Sequence, residues 1–197
     1  MSATAAPYGI QPISDQSGTP RTLRVPNGIA SGLASNIFKY TPVFIDTATG
    51  KLKPVAATTD KIFGVFAGVE YTPSGGRPTV SPYWASGQTY DANLDMFAYV
   101  WPAWNPNQRW MIQADGSVAQ TAFGEGFNFS AFTAGNTSTG LSAVSAAATP
   151  VGAGVQGQMA LIEFAPLSNN AIGDAYTDLI VGIAYPQIVS AFQTAIG

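Results

Sequence analysis

IFGVFAGVEYTPSGGRPTVSPYW, residues 62–84, is the stretch whose reading decides the fold. Phe63, Val65, Ala67, Val69 and Tyr71 fall on one face of an extended segment. An unbroken apolar face at period two predicts a strand packed on a core. The other face carries Ile62, Gly64, Phe66, Gly68, Glu70 and Thr72. Its two glycines leave room for another backbone to approach closely. Residues 72–78 are dense in turn formers. Thr79 to Trp84 then returns as a second strand, with Pro82 marking an edge or a bulge. This hairpin is expected at the centre of an all-β domain.

The segments on either side read the same way. Tyr40–Asp46 and Lys51–Val55, joined by the turn at 47–50, predict a hairpin. Arg21–Val25 predicts a short strand. Asp95–Trp101 is apolar at every position from Met96 onward, as in a strand buried on both sides. In Arg109–Ala114, Trp110, Ile112 and Ala114 face inward. Asp115-Gly116 is a type I′ turn signal, which predicts Ser117–Thr121 as the partner strand. Short strands are expected at 128–133 and 141–145, longer ones at Met159–Phe164 and Asp178–Tyr185. Ile188, Val189, Phe192, Ala195 and Ile196 share one helical face, so residues 186–197 read as a short helix or an apolar tail. Residues 1–20 read as an extended arm, punctuated by Pro7, Gly9, Pro12, Gly18 and Pro20. Tyr8, Ile10 and Ile13 could anchor it on a neighbour or on its own domain. Ten to twelve short strands with little helix predict an antiparallel β-sandwich or β-barrel. Residues 21–185 form one β domain, or two β subdomains meeting near 85–95.

Composition narrows the function. Of 197 residues, 46% are hydrophobic and only 10% charged, against about 25% charged in an ordinary soluble domain. So few charges do little to keep copies apart, which points to a surface covered in an assembly. Cysteine and histidine are absent. That excludes disulfides, Cys/His metal sites and the Ser-His-Asp and Cys-His arrangements. Seven of the eight basic residues lie between Arg21 and Arg77, and none follows Arg109. Without a basic cluster, nucleic-acid binding is not expected. No apolar run is long enough for a membrane helix. The first residues lack the basic-then-apolar pattern of a signal peptide, so synthesis in a cytosol is expected.

Four groups of residues could carry chemistry, each beside a plainer role. Gly152–Gly157 matches G-x-G-x-x-G, but a strand rather than a helix is predicted after it, so a glycine-rich loop is the simpler reading. The pairs Asp91/Asp95 and Asp174/Asp178 could act as paired carboxylates on a polysaccharide, or hold calcium with Asn169 or Asn170. Asp at turns and strand ends is commoner. Trp84, Trp101, Trp104 and Trp110 could form a sugar-stacking platform, although aromatic residues on strands are more often core or interface anchors. Asn128 and Asn136 begin glycosylation sequons, which mean little without secretion. No residue is assigned as catalytic, cofactor-binding or metal-ligating.

Several segments together resemble the head decoration, or capsid cement, proteins of tailed bacteriophages. PYGIQPI (7–13) resembles the PYG-x-x-P start of that family. IASGLASNIFKYTPVFI (29–45) resembles its ASGYATNIFxGDxV segment. Residues 62–84 resemble xxGVFxGVEYT…S-x-YW. WMIQADGSVAQTAFG (110–124) resembles FxIQADGSxAQTxxG, and AIGDAYTDLIV (171–181) resembles AVGDAYTDVIV. The matches run in order from about 7 to 181. Lys39-Tyr40-Thr41 departs from the family's Gly-Asp turn. TGKLKPVA followed by IFGVFAGV is also similar to the small β-tulip barrel of some cement proteins.

The resemblance implies a non-enzymatic structural protein of the virion, on the outside of an icosahedral capsid. It implies the major capsid protein as partner, and self-association, typically as a homotrimer. Cementing would act by repeated interface area rather than by chemistry. The remaining readings are a head-fibre or tail adhesin protein with carbohydrate affinity, and an enzyme acting on polysaccharide through a carboxylate pair.

Overall fold

The computed structural model describes residues 4–14 and 18–188. Strands are β1 (Gln11–Ser14), β2 (Leu23–Pro26), β3 (Pro42–Asp46), β4 (Lys51–Pro54), β5 (Gly64–Tyr71), β6 (Thr79–Ser81), β7 (Phe97–Pro102), β8 (Arg109–Gln113), β9 (Gly126–Phe127), β10 (Phe129–Ser130), β11 (Gly135–Asn136), β12 (Leu141–Ser142), β13 (Ser145–Ala146), β14 (Met159–Phe164) and β15 (Asp178–Ile183). The chain is all-β, and every ladder is antiparallel. A six-stranded sheet runs β2-β7-β5-β3-β4, with β6 also on β5, and a five-stranded sheet runs β1-β8-β15-β14-β9. β1 belongs to the five-stranded sheet and β2 to the six-stranded one, so the chain crosses between the sheets before β2 and again between β7 and β8.

The two sheets form an open sandwich with two cores. Val65 of the six-stranded sheet, with half-buried Phe44 and Trp101 packed alongside, shares one core with Trp110, Ile112, Met159, Leu161, Leu179 and Val181 of the five-stranded sheet. The opposite face of the six-stranded sheet builds the second core: Val43, Leu52, Phe66, Val69, Ala98 and Val100, capped by Ile29, Ile37, Trp84 and Met96 from its loops. That sheet curls until the loop after β2 reaches the edge of β4, where Leu52 N–H donates to Gly28 O at 2.7 Å. No ladder forms there, so the barrel expected as the alternative to a sandwich is not closed.

β5 lies inside its sheet and is buried almost throughout. The predicted single apolar face is not kept. A bulge between Phe66 and Gly68, opposite Tyr99–Val100, inserts one residue. Val65 therefore enters one core while Phe66 and Val69 enter the other. An odd spacing on one face requires a bulge, because side chains otherwise alternate strictly. Gly68 sits in it at φ +152°.

Other differences have local causes. Asp115-Gly116 makes no hairpin. Neither residue has positive φ, and both edges of β8 are already taken by β1 and β15. Asp115 instead donates its N–H to Ala146 O and accepts Ala148 N–H on Oδ1, both at 2.8 Å. The chain after it ends in a single 3-10 turn, Gln120–Ala122. The strand expected at 128–133 is reduced to Phe129–Ser130, because Asn128 turns its Oδ1 to Gln158 N–H before it and Ala131 takes φ +52° after it. β7 buries Ala98 and Val100 on one face but leaves Phe97 and Tyr99 part-exposed on the other. Ile188 packs on the second core, and the rest of the helix expected over 187–196 lies outside the described residues.

Candidate interaction surfaces

The proposed chemical groups do not assemble. Asp178 is buried at the start of β15, where Tyr8 O–H donates to its Oδ1 at 2.9 Å. Asp174 Oδ2 accepts Ala171 N–H at 2.9 Å and holds its own turn. Asp91 Oδ1 accepts both N–H groups of Asn93 in a local turn, while Asp95 is exposed. Asn170 is occupied by the backbone of Asp178, to which it both donates and accepts at 2.9 Å. No cluster of acidic residues suited to a metal ion occurs among the described residues. Gly152–Gly157 is a loop that leads into β14 rather than a helix. Trp84 and Trp110 are fully buried in different cores, and Trp104 leans on Phe63 at 5.3 Å between ring centres. The four tryptophans therefore make no common platform.

Segments distant in sequence lock onto one another. Tyr8 reaches Asp178, and Ala6 N–H donates to Gln113 Oε1 at 2.8 Å. Gln113 lies opposite Asp178 in the β8–β15 ladder. Ala114 N–H donates to Thr177 O, and Thr177 Oγ1 accepts Val118 N–H. Ile37 and Trp84 exchange backbone hydrogen bonds at 2.9 and 2.8 Å. Ile10 is buried, and its N–H donates to Tyr40 O. Tyr40 has φ +72°, a conformation that suits glycine. It lies in the Lys39-Tyr40-Thr41 stretch, which departs from the Gly-Asp turn of the resemblance. Its ring stacks on Trp101 at 5.6 Å, which helps hold the strained backbone. The sequence offered anchors in the first residues but no sign of the hydrogen bond from Tyr8. Gln113 and Gln158, both buried, gave no warning either.

Burial of the Tyr8–Asp178 pair makes stability depend on pH. Burial holds the Asp178 carboxyl above its ordinary range, although hydrogen bonds from Tyr8 and Gln113 pull it down. Burial, then the charge of Asp178, push the Tyr8 phenol above its own. Both groups hold a proton more tightly folded than unfolded. Their stabilisation is full below about pH 4, falls as pH rises through the raised Asp178 value, and falls again above about pH 10 as unfolded tyrosine ionises. Asp178→Asn is expected to flatten the first fall and Tyr8→Phe the second. Melting temperatures across pH check this; three superimposable profiles would refute it.

What remains for function is surface. On the outer side of the five-stranded sheet, Met111 lies opposite Ile180. Ile162 lies beside them, within 3.1 Å of where a Cβ on Gly182 would stand. All three are part-exposed, and none belongs to either core. Glu163, opposite Ile180 on β14, is exposed. The outer face of an antiparallel sheet is ordinarily polar; this one is apolar at its centre.

The six-stranded sheet has a second free face, beyond the part covered by its partner sheet. Phe97 and Tyr99 are part-exposed there and also stand outside both cores. The Arg24 guanidinium lies 3.3 Å from the centre of the Phe97 ring. Tyr99 O–H donates to Glu70 at 2.9 Å, which raises the phenol above its ordinary range. Val80, opposite Glu70 on β6, is 78% exposed. The chain matches no protein-family model, no curated protein and no solved structure.

Proposed function

We propose that this chain is a structural protein of a phage virion that binds the outside of the capsid and cements neighbouring major capsid subunits. One observation carries the reading. The five segments that resemble head decoration proteins are distant in sequence, yet the residues they contribute hold one another in place: Tyr8 on Asp178, Gln113 opposite Asp178, Ile37 on Trp84, Ile10 on Tyr40. The low charge, two free sheet faces and dispersed carboxylates agree with a protein that works by contact area. Self-association as a trimer belongs to the same reading.

The test uses heads purified from virions made without this chain. Added protein is expected to co-sediment with them to saturation and to raise their resistance to heat and osmotic shock. Unassembled capsid protein is expected to bind far more weakly, because cementing needs neighbouring subunits side by side. Heads that neither bind the chain nor gain strength would remove the proposal.

A further inference from the structure

We propose that Asn27-Gly28 is a self-modification site: the Gly28 nitrogen attacks the Asn27 carboxamide, activated by Lys51, and converts Asn27 to aspartate and isoaspartate. This goes beyond the reading above and does not depend on it. Asn27 is exposed at the turn after β2, with φ +48°. It is the one asparagine of the sequence that glycine follows. A side chain on the next residue would crowd the attacking nitrogen, and glycine has none. The Asn27 carboxamide is also loosely held, since its Oδ1 meets Met96 N–H only at 3.5 Å. By contrast, Asn36 Oδ1 accepts Ser86 N–H and Asn136 Oδ1 accepts Ser138 N–H, both at 2.8 Å.

Lys51 adds activation to this pair. Its ammonium donates a hydrogen bond to Asn27 O. That oxygen and the Gly28 nitrogen belong to one peptide group. The nitrogen attacks after losing its proton, and the resulting charge is shared with the oxygen. An ammonium there favours the anion, as charge-assisted hydrogen bonds do. Met96 N–H faces Oδ1, where negative charge collects as the ring closes. A bond forms between Gly28 N and Asn27 Cγ, and the Cγ–Nδ2 bond breaks. The side-chain nitrogen leaves as ammonia, its third hydrogen replacing the proton that Gly28 lost. Water then opens the cyclic imide at either carbonyl, giving aspartate or isoaspartate.

Isoaspartate lengthens the main chain where it is clamped. Asn27 N–H donates to Met96 O and Leu52 N–H to Gly28 O, both at 2.7 Å. A Cβ on Gly28 would stand 2.9 Å from Val25 Cγ1, so little space is left to absorb the extra length. The modification therefore loosens, slowly and in one direction, the tie between the loop after β2 and the edge of β4.

Mass spectrometry of the full chain, aged at neutral pH, tests the site. Tryptic peptide 25–39 carries both Asn27 and Asn36, so each digest holds its own control. Asn27 is expected to convert at least about tenfold faster than Asn36. Lys51→Met should slow it about tenfold, while Lys51→Arg, which keeps a cationic donor, should stay within about threefold of the wild type. In urea the contact with Lys51 is lost, so wild type and Lys51→Met should convert alike. Aged wild type should melt about 2–4 °C below fresh protein, and aged Asn27→Gln, whose longer side chain closes a ring more slowly, should not change. Conversion of Asn27 no faster than Asn36 overturns the proposal. So does a Lys51→Met chain, folded by circular dichroism, that converts as fast as the wild type, or a Lys51 effect that persists in urea. Converted protein that melts like fresh protein would overturn the loosening of the tie.

Discussion

Gln158→Leu is expected to lower stability by about 3 kcal/mol, which at this chain length lowers the melting temperature by roughly 6–12 °C. Gln158 is fully buried where the turn after β4 meets β9 and β10. Its Nε2 donates to Ala57 O and Asp60 O, both at 3.0 Å, and its Oε1 accepts Phe129 N–H at 3.1 Å. Leucine keeps most of the volume and removes all three bonds. A buried group left unpaired costs about 1–3 kcal/mol. The penalties do not simply add, because Ala57 sits in an exposed turn where water can reach its carbonyl. Phe129 N–H has no such relief, since Phe129 is 2% exposed. Gln158→Glu separates shape from hydrogen bonding. Its carboxylate cannot donate to either carbonyl, and burial raises its pKa, so it should be worst at neutral pH and partly recover in acid. Thermal and urea unfolding measure both variants. A leucine variant that melts within about 2 °C of the wild type would show that the clamp is dispensable.

Gln158 also marks where sequence reading stops. Strand positions came through because period-two hydrophobicity is local. Trp110, Ile112 and Ala114 were expected inside and are fully or almost fully buried. The β3–β4 hairpin followed from its turn, where Asp46 accepts Ala48 N–H and Thr49 O–H. What failed were features set by distant partners. The bulge in β5 exists because Val65 and Val69 must enter different cores, and nothing within 62–71 states that there are two. Asp115-Gly116 carries a sound hairpin signal, but β15 arrives from 65 residues later to take the edge of β8 that the hairpin would use. At the candidate faces the limit is of another kind. Met111, Ile162 and Ile180 read as ordinary strand residues, and only the register of three separate strands reveals that they form one uncovered patch. The chemical groups were more legible: a glycine-rich loop, turn-forming carboxylates and tryptophans in or against the cores are the roles that residue frequencies favour.

Gly64→Ala is expected to cost about 3 kcal/mol, although it adds a single methyl group. Gly64 opens β5 between Val43 of β3 and Pro102 of β7. A Cβ there would stand 2.3 Å from Val100 Cγ1 and 2.4 Å from Trp101 O. The first contact is with a side chain that is 0% exposed and packed in the second core. The second is with a backbone carbonyl, which no rotamer change can move. Relief therefore requires β7 to shift from β5 by most of an ångström. That would disturb the ladder of Gly64–Glu70 with Phe97–Pro102 and the stack of Trp101 on Tyr40. Gly152→Ala is the matched control: a Cβ there meets nothing within 4 Å and its φ is not positive, so the change should be neutral or stabilising by about 0.4–1 kcal/mol. Adding Val100→Ala to Gly64→Ala removes one of the two clashes but opens a cavity of its own, so rescue should be partial at best. Denaturant midpoints of the three variants decide the matter. If Gly64→Ala and Gly152→Ala unfold at the same midpoint, the close approach of β5 and β7 does not constrain the fold as argued.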